Sequence, residues 1–233
     1  MQKIDIDKEE IIDIIDIDKR RVKNIYLYGS RVYGNYSISS DYDILVTACS
    51  MIANKEIYED KYNIHITTPD IFEDRLRKHD IHCLECIYAP IDAKIQIKKD
   101  YLIDFEINPC KLKKMLFSQS TAAWHKARRK IEDGSFNVGE KSLFHSLRIL
   151  MFGIQLLKEG AITDFSEANH IHHEIGGFCE SENFDFEWKN YKDKWLPVKR
   201  KLQKEFSKIP RKIPINSLKK EIGKWEKKDK INA

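Results

Sequence analysis

The chain has 233 residues, of which 33% are charged and 42% are apolar, enough to bury a core in one large or two small domains. Nine glycines and six prolines exclude a collagen-like or low-complexity chain, and no apolar run approaches the roughly 20 residues of a membrane span. The acidic N-terminus lacks the apolar stretch of a signal peptide, and five irregularly spaced cysteines are typical of free thiols in a reducing compartment. We therefore expect a cytoplasmic protein with no membrane partner.

The net charge of +4 is distributed unevenly along the chain. Residues 189–230 contain sixteen lysine and arginine residues against five acidic residues. Clustered cations attract polyanions because binding releases counterions, although most lysine-rich surfaces are only solvated helix faces. Lysine outnumbers arginine in this segment, which favours contact with a nucleic-acid backbone over reading of the bases. The segment therefore predicts either a solvated helical surface or a docking site for a nucleic-acid acceptor.

The first half of the chain alternates between helix and strand patterns. The predicted strands are rich in β-branched and aromatic residues and cover residues 24–30, 40–48, 63–68 and, as a short strand or an edge, 94–100. The predicted helices have apolar residues at helical spacing and cover residues 4–17 and 69–82. We therefore expect residues 1–108 to form a domain in which helices cover a small mixed sheet.

The pattern becomes purely helical after Asn108 and Pro109. The predicted helices share the helical spacing of apolar residues and cover residues 111–132, 139–158, 187–206 and 215–228. Three histidines at positions 170, 172 and 173 are expected to lie in a loop between the second and third of these helices. Residues 109–233 are therefore predicted to form an all-helical domain with a basic tail, which gives the chain an α+β fold class.

One segment of the predicted sheet carries a pattern of catalytic chemistry. Gly29 and Ser30 end the first long strand, and ten residues separate them from Asp41 and Asp43 on the next strand. Two carboxylates one residue apart on a strand point the same way, and their mutual repulsion favours a hard cation such as Mg²⁺ or Mn²⁺ between them. Gly29 allows a phosphate to approach the backbone, and Ser30 offers a hydroxyl and an amide. Arg31, which follows directly, is a second candidate phosphate contact.

This pattern resembles the signature of the polymerase-β-type nucleotidyltransferases, in particular the minimal ones. In that signature a Gly-Ser pair is followed by two aspartates spaced as Asp41 and Asp43 are. The longer string from Tyr28 to Gly34, followed by Ser40-Asp41-Tyr42-Asp43-Ile44, is similar to a group of predicted nucleotidyltransferases linked to RNA repair. The resemblance implies a polymerase-β-like nucleotidyltransferase domain followed by a helical domain.

The same resemblance extends into the helical half and covers roughly residues 24–165. Leu84-Glu85 looks like the Ala-Leu-Glu pattern of that group, and Lys141, His145 and Arg148 look like its C-terminal helical motif. These last three residues share one helical face. They form either an amphipathic surface or a face that binds the nucleotide or the acceptor.

The resemblance implies the transfer of a nucleoside monophosphate from a nucleoside triphosphate (NTP) to RNA or another hydroxyl acceptor, with release of pyrophosphate. Asp41 and Asp43 match the metal-binding pair of the family, and Gly29 and Ser30 match its triphosphate contact. Two alternatives stay open: a catalytically silent protein that binds nucleotide or RNA, and an antitoxin-like enzyme that nucleotidylates a partner protein.

The sequence departs from the family pattern at the third catalytic carboxylate. The strand expected to carry this group contains no acid and places Asn63 or His65 on the expected face. We predict that His65 accepts the proton of the attacking hydroxyl, because a neutral imidazole can act as a base near neutral pH. The alternatives are that His65 is structural, or that an acid elsewhere replaces the third carboxylate: Asp60, Asp92 or Asp104.

Overall fold

The computed structural model describes residues 6–38, 40–49, 54–179 and 187–210. The helix predicted over residues 215–228 and the basic segment beyond residue 210 lie outside the described residues. No helix in the described ranges is both long and apolar enough to cross a membrane.

The first half of the chain forms a five-stranded mixed sheet. Its strands are β1 (Val22–Tyr28), β2 (Tyr42–Ala48), β3 (Lys55–Glu59), β4 (Tyr62–Thr67) and β5 (Gln96–Ile97), in the order β3-β4-β2-β1-β5. β2 and β4 run parallel, and the other neighbouring strands run antiparallel. The sheet and the helical part that follows it confirm the predicted fold class.

The alternation of side chains along the strands divides the sheet into two faces. Helix α1 (Lys8–Ile15) packs against one face, which carries Ile25, Ile44 and Ile64. Tyr26 and Leu45 point to the opposite face and join the core under the remaining helices. Asp43 lies two residues before Leu45 and therefore on the same second face. Asn63 of β4 lies opposite Asp43 in the strand register. The signature aspartate therefore faces the helical half of the protein.

Seven further α-helices follow α1 in the described residues, three in the sheet domain and four in the second half of the chain. The sheet domain contributes α2 (Ser30–Tyr33), α3 (Pro69–Arg77) and α4 (Ile81–Tyr88), and the helical half contributes α5 (Pro109–Glu132), α6 (Phe136–Glu159), α7 (Asn169–Cys179) and α8 (Trp188–Lys208). Asn108 caps α5 by accepting hydrogen bonds from the amides of Cys110 and Lys111, each at 3.1 Å. α5 thus begins at Pro109, directly after its cap, and only helices follow it in the described residues.

The two halves share one hydrophobic core. Tyr26 and Phe72 from the sheet domain lie in the same cluster as Leu112, Leu116 and Phe206 from α5 and α8. Apolar surface buried on both sides of the boundary makes separate folding of the halves costly. The boundary therefore marks a change of architecture within one packed body.

Three local predictions differ from the structure. The single helix expected over residues 69–82 is two helices, α3 and α4, because His79 adopts a left-handed conformation with φ of 64° between them. The prediction of a loop for His170–His173 is wrong, because this segment belongs to α7. Ile171 and Ile175 of α7 pack into the helical core. β3 was not predicted, since it is a short edge strand whose residues are mostly exposed.

Candidate active site

Gly29 and Asp43 meet where β1 ends and β2 begins. Tyr28, the last residue of β1, pairs with Asp43 across the antiparallel ladder. Gly29 follows with φ of 78° and ψ of −156°, a conformation open almost only to glycine. A Cβ atom at this position would overlap Oδ2 of Asp43. Glycine is therefore required both by the turn and by the approach of the carboxylate.

Asp41 and Asp43 differ in environment. Asp41 precedes β2 and is exposed, whereas Asp43 is partly buried. Burial raises the pKa of Asp43, the hydrogen bond from Asn63 partly offsets this rise, and the negative charge of Asp41 adds to it. The two carboxylates therefore interact electrostatically, as their spacing predicts.

Strand register decides which residue of β4 stands beside Asp43. Asp43 pairs with Asn63, and Asn63 Nδ2 donates a hydrogen bond of 2.9 Å to Asp43 Oδ1. His65 pairs instead with Leu45, one pleat further along, and its Nδ1 lies 3.5 Å from Glu56 Oε1. An amide, and not the predicted His65, is therefore the direct neighbour of the signature aspartate.

A cleft of about 430 Å³ separates this end of the sheet from the helical half. The sheet domain lines it with Tyr28, Gly29, Ser30, Asp43 and His82, among others. The cationic or titratable side chains of the helical wall are Lys126, Lys141, His145, Arg148 and His172. The structure thus brings Ser30, Lys141, His145 and Arg148 to the same cleft. A larger groove of about 750 Å³ between α5 and α8 contains none of the signature residues.

Arg31 points away from this cleft. Its Nη2 donates a hydrogen bond of 2.5 Å to the carbonyl oxygen of Ser40. Its guanidinium carbon lies 3.7 Å from the ring centroid of Tyr42 and 4.8 Å from that of Tyr36. Arg31 therefore ties α2 to the residue before Asp41, and the structure does not bring it to the predicted phosphate site.

The two helical motifs in the sequence contact each other. Arg148 Nη2 donates to Glu85 Oε1 at 3.2 Å, and Tyr33 Oη donates to Glu85 Oε2 at 2.6 Å. The Arg148 guanidinium also lies over the Tyr33 ring, 3.6 Å from its centroid. The side chains of Arg148 and Glu85 are only 4% and 1% exposed. This buried pair joins α6 and α4 to α2, the helix that begins with Ser30.

His145 is neutral in this arrangement. Its Nδ1 lies 2.6 Å from Arg148 Nη2, and because arginine only donates, Nδ1 accepts and the proton resides on Nε2. Burial, with the charge of Arg148 adding to it, holds the pKa of His145 well below its usual value. Its ring stacks on that of His82 with a centroid separation of 5.8 Å.

Sequence reasoning did not predict three basic side chains of the cleft as site residues: His82, Lys126 and His172. His82 precedes Glu85 by three positions and so shares its helical face, which is the signal that could have found it. His172 was missed because its segment was expected to be a loop, and nothing in the local sequence marks Lys126.

Comparison with known proteins agrees with this geometry. Residues 8–104 match the model of a nucleotidyltransferase domain, a range that includes the Gly-Ser turn, both aspartates and Asn63. These residues form a nucleotidyltransferase domain. The Lys141, His145 and Arg148 motif lies outside the matched range. The match confirms the polymerase-β-type resemblance and supports general nucleotidyl transfer.

The other comparisons add little to this assignment. No curated protein matches the sequence. A crystal structure of a nucleotidyltransferase-like protein from Exiguobacterium sibiricum 255-15 is similar at 11% identity and a TM-score of 0.31, covering 80% of this chain and 70% of that chain. A score of this size does not establish a shared fold, so the assignment rests on the domain match and on the site.

The donor set of the nucleotidyltransferase domain fits a divalent cation that arrives with its substrate. Within the described ranges, no three histidine, cysteine, aspartate or glutamate side chains cluster closely enough to hold a metal. Mg²⁺, however, is commonly bound by one or two carboxylates, waters and substrate phosphates. Asp41 and Asp43 supply two such carboxylates, and Asn63 steadies one of them. Asp43 lines the cleft, and Asp41 precedes it by two residues without itself lining the cleft. Asp60, Asp92 and Asp104 do not line the cleft either.

Proposed function

We propose that this protein is a metal-dependent nucleotidyltransferase that transfers a nucleoside monophosphate from an NTP to a hydroxyl acceptor and releases pyrophosphate. One observation carries the proposal. Asp43, with Gly29 packed against it, faces a wall bearing Lys126 and Lys141 across a cleft of about 430 Å³. Volumes of this order accommodate small ligands, and the separation of carboxylates from lysines suits a metal–triphosphate complex.

Asp41 and the residues that line the cleft would share the binding of the substrate. Asp41 and Asp43 would hold Mg²⁺ or Mn²⁺, which supplies positive charge against the reacting phosphate when bound. Gly29 lets the phosphates approach the backbone, and Ser30 offers its amide and hydroxyl. Lys126 and Lys141 face this turn and neutralise the remaining phosphate charge. Arg148 acts by holding α2, because its guanidinium is already paired with Glu85.

A nucleic acid is the acceptor that the charge distribution favours. α8 lies in the segment 189–230, and its exposed face carries a series of cations: Lys189, Lys192, Lys194, Arg200, Lys201, Lys204 and Lys208. The helix contains only two acidic residues, Asp193 and Glu205. Such a face attracts a phosphate backbone without reading its sequence.

A second candidate function is nucleotide or RNA binding without transfer. It is favoured by Asn63, which occupies the strand position expected to hold a carboxylate and which cannot take up a proton. An antitoxin-like transfer to a partner protein differs from the proposal only in the acceptor.

Incubation with each α-labelled NTP, Mg²⁺ and a mixed pool of RNA and protein tests the proposal. We expect label on an RNA acceptor, release of pyrophosphate, and loss of both in the double variant Asp41→Asn/Asp43→Asn. Transfer should fall steeply as salt rises, since the acceptor is held by charge. Label on protein alone would support the antitoxin-like alternative. NTP binding without any transfer would support the silent one.

A further inference from the structure

His82 occupies a fixed position at the start of α4. Asp80 caps the helix and accepts hydrogen bonds from the amides of His82 and Cys83 at 3.0 and 3.4 Å. Gln119 on α5 donates to Asp80 and accepts from the amide of Ile81, each at 3.1 Å. The backbone that carries His82 is therefore held from both the sheet domain and the helical half.

The imidazole of His82 faces the cleft with its nitrogens available. It lies between Tyr28, edge-on at a centroid distance of 6.0 Å, and His145, stacked at 5.8 Å. In the described part of the chain neither ring nitrogen of His82 has a hydrogen-bond partner. His82 and Asp43 line the same cleft, both from the sheet domain. His82 is thus a half-buried, oriented imidazole in the cleft that the signature aspartate also lines.

The other histidines of this region have different surroundings. His65 pairs with Glu56 and does not line the cleft. His145 uses Nδ1 to accept from Arg148. His172 reaches the cleft from α7 and packs edge-on against Phe144 and His173. Of the histidines that line the cleft, His82 comes from the sheet domain, as Asp43 does, whereas His145 and His172 come from the helical wall.

We propose that His82 is the proton acceptor of this nucleotidyltransferase, in the role that Asn63 cannot fill. This inference rests on the proposed function. The hydroxyl oxygen of the acceptor forms a bond to the α-phosphorus of the NTP, and the bond from that phosphorus to the pyrophosphate oxygen breaks. The hydroxyl proton passes to the free ring nitrogen of His82, and pyrophosphate leaves with the electron pair. His82 returns the proton to water before the next turnover.

Substitution of His82 separates proton transfer from binding. The variant His82→Gln keeps a polar side chain of similar reach but has no nitrogen that takes up a proton. We expect transfer to fall by about 100-fold or more, as is typical for loss of a general base, with the affinity for NTP and Mg²⁺ changed less than about threefold. Added imidazole should restore part of the activity of His82→Ala. His125→Gln, at an exposed position outside the cleft, is the matched control and should transfer normally.

Several outcomes would overturn the role of His82 while leaving the proposed function intact. These are normal transfer by His82→Gln, a larger loss in His65→Gln, or a fall in NTP affinity that accounts for the whole loss in His82→Gln. Absence of transfer by the unsubstituted protein would instead reject the proposed function, and this inference with it.

Chemical modification of the unsubstituted protein gives a readout that does not depend on how a variant folds. Diethyl pyrocarbonate should modify His82 in the free protein, and ATP with Mg²⁺ should protect it, as peptide mass spectrometry would show. An unreactive His82, or one that nucleotide does not protect, contradicts the proposal.

Discussion

At the scale of single residues, the site depends on the contact between Gly29 and Asp43. The Asp43 carboxylate lies in the space that a Cβ atom on residue 29 would occupy. Any larger residue must move either the turn that presents Ser30 or the carboxylate that holds the metal. Stability and metal-dependent binding are therefore linked at this one position.

The variant Gly29→Ala tests this link. We expect it to weaken Mg²⁺-dependent NTP binding by at least about tenfold, equivalent to about 1.4 kcal/mol, because the new methyl group displaces Asp43. Gly134→Ala is the matched control, since Gly134 also has a positive φ of 81° but has nothing within 4 Å of a Cβ. It should lower the free energy of unfolding by about 1–2 kcal/mol and leave binding unchanged. Equal NTP affinity in both variants, measured by calorimetry, would show that the contact with Asp43 is unimportant.

Local spacing was enough to predict which residues lie together at the Gly-Ser turn. Gly29, Ser30 and Asp43 come together because a turn and an antiparallel pair fix their geometry. The face of His65 was predicted correctly from the period of two, but its distance along the strand depends on the register between β2 and β4. That register is set by tertiary pairing, so local sequence could not show that Asn63 is the neighbour of Asp43.

At the scale of elements, the break between α3 and α4 positions the cleft. His79 turns the chain with its left-handed backbone, and its buried ring accepts a hydrogen bond of 2.8 Å from the amide of Asn108. Its Nδ1 lies 3.2 Å from the carbonyl oxygen of Arg77, to which a neutral ring can donate. The apolar spacing over residues 69–82 continues through this break, which is why the sequence predicted one helix.

The ring of His79 makes stability depend on pH. Burial lowers the pKa of His79 below its unfolded value of 6.5, because it removes water from the charged ring. Protonation of Nε2 would also remove the hydrogen bond from the amide of Asn108. The neutral ring therefore stabilises the fold above pH 6.5, and this stabilisation declines as the pH falls from 6.5 towards the lower folded pKa. His79→Asn keeps a side chain that tolerates positive φ but does not titrate.

Urea unfolding at pH 7.5 and 5.5 measures this effect, since ordinary carboxylates stay ionised over most of that range. The loss of unfolding free energy between the two values should be smaller in His79→Asn than in the unsubstituted protein. His145, also neutral in the fold, contributes equally to both proteins. Identical losses would mean that His79 does not titrate with folding.

Two elements escaped prediction for a shared physical reason. β3 is mostly exposed, so it lacks the alternation of buried and polar residues that marks a strand. α7 is short and rich in histidine and glycine, and it is helical because Ile171 and Ile175 reach the helical core. In both cases tertiary packing decides the structure.

At the scale of the whole molecule, the cleft exists because the two halves share a core. Glu85 and Arg148 pair across the boundary, and Tyr33 of the sheet domain packs edge-on against Phe152 of α6. The lysines of α5 and α6 are thereby held opposite Asp43. Sequence patterns placed the change of architecture at residues 108–109, but they contain no information about how the halves dock.

Calorimetric titration of the protein with NTP, once with Mg²⁺ present and once with a chelator instead of Mg²⁺, tests most directly whether this cleft is a metal-dependent nucleotide site. The unsubstituted protein should bind NTP more tightly with Mg²⁺ than without it. Asp41→Asn/Asp43→Asn should show one weak affinity under both conditions. Asp92→Asn is the matched control and should bind NTP as the unsubstituted protein does. Asp92 is exposed on the short 3₁₀ helix Ile91–Ala93. Ala93 of this helix packs into the core on the other face of the sheet. Mg²⁺-dependent binding that persists in the double variant would contradict the assignment of Asp41 and Asp43 as the metal-binding pair.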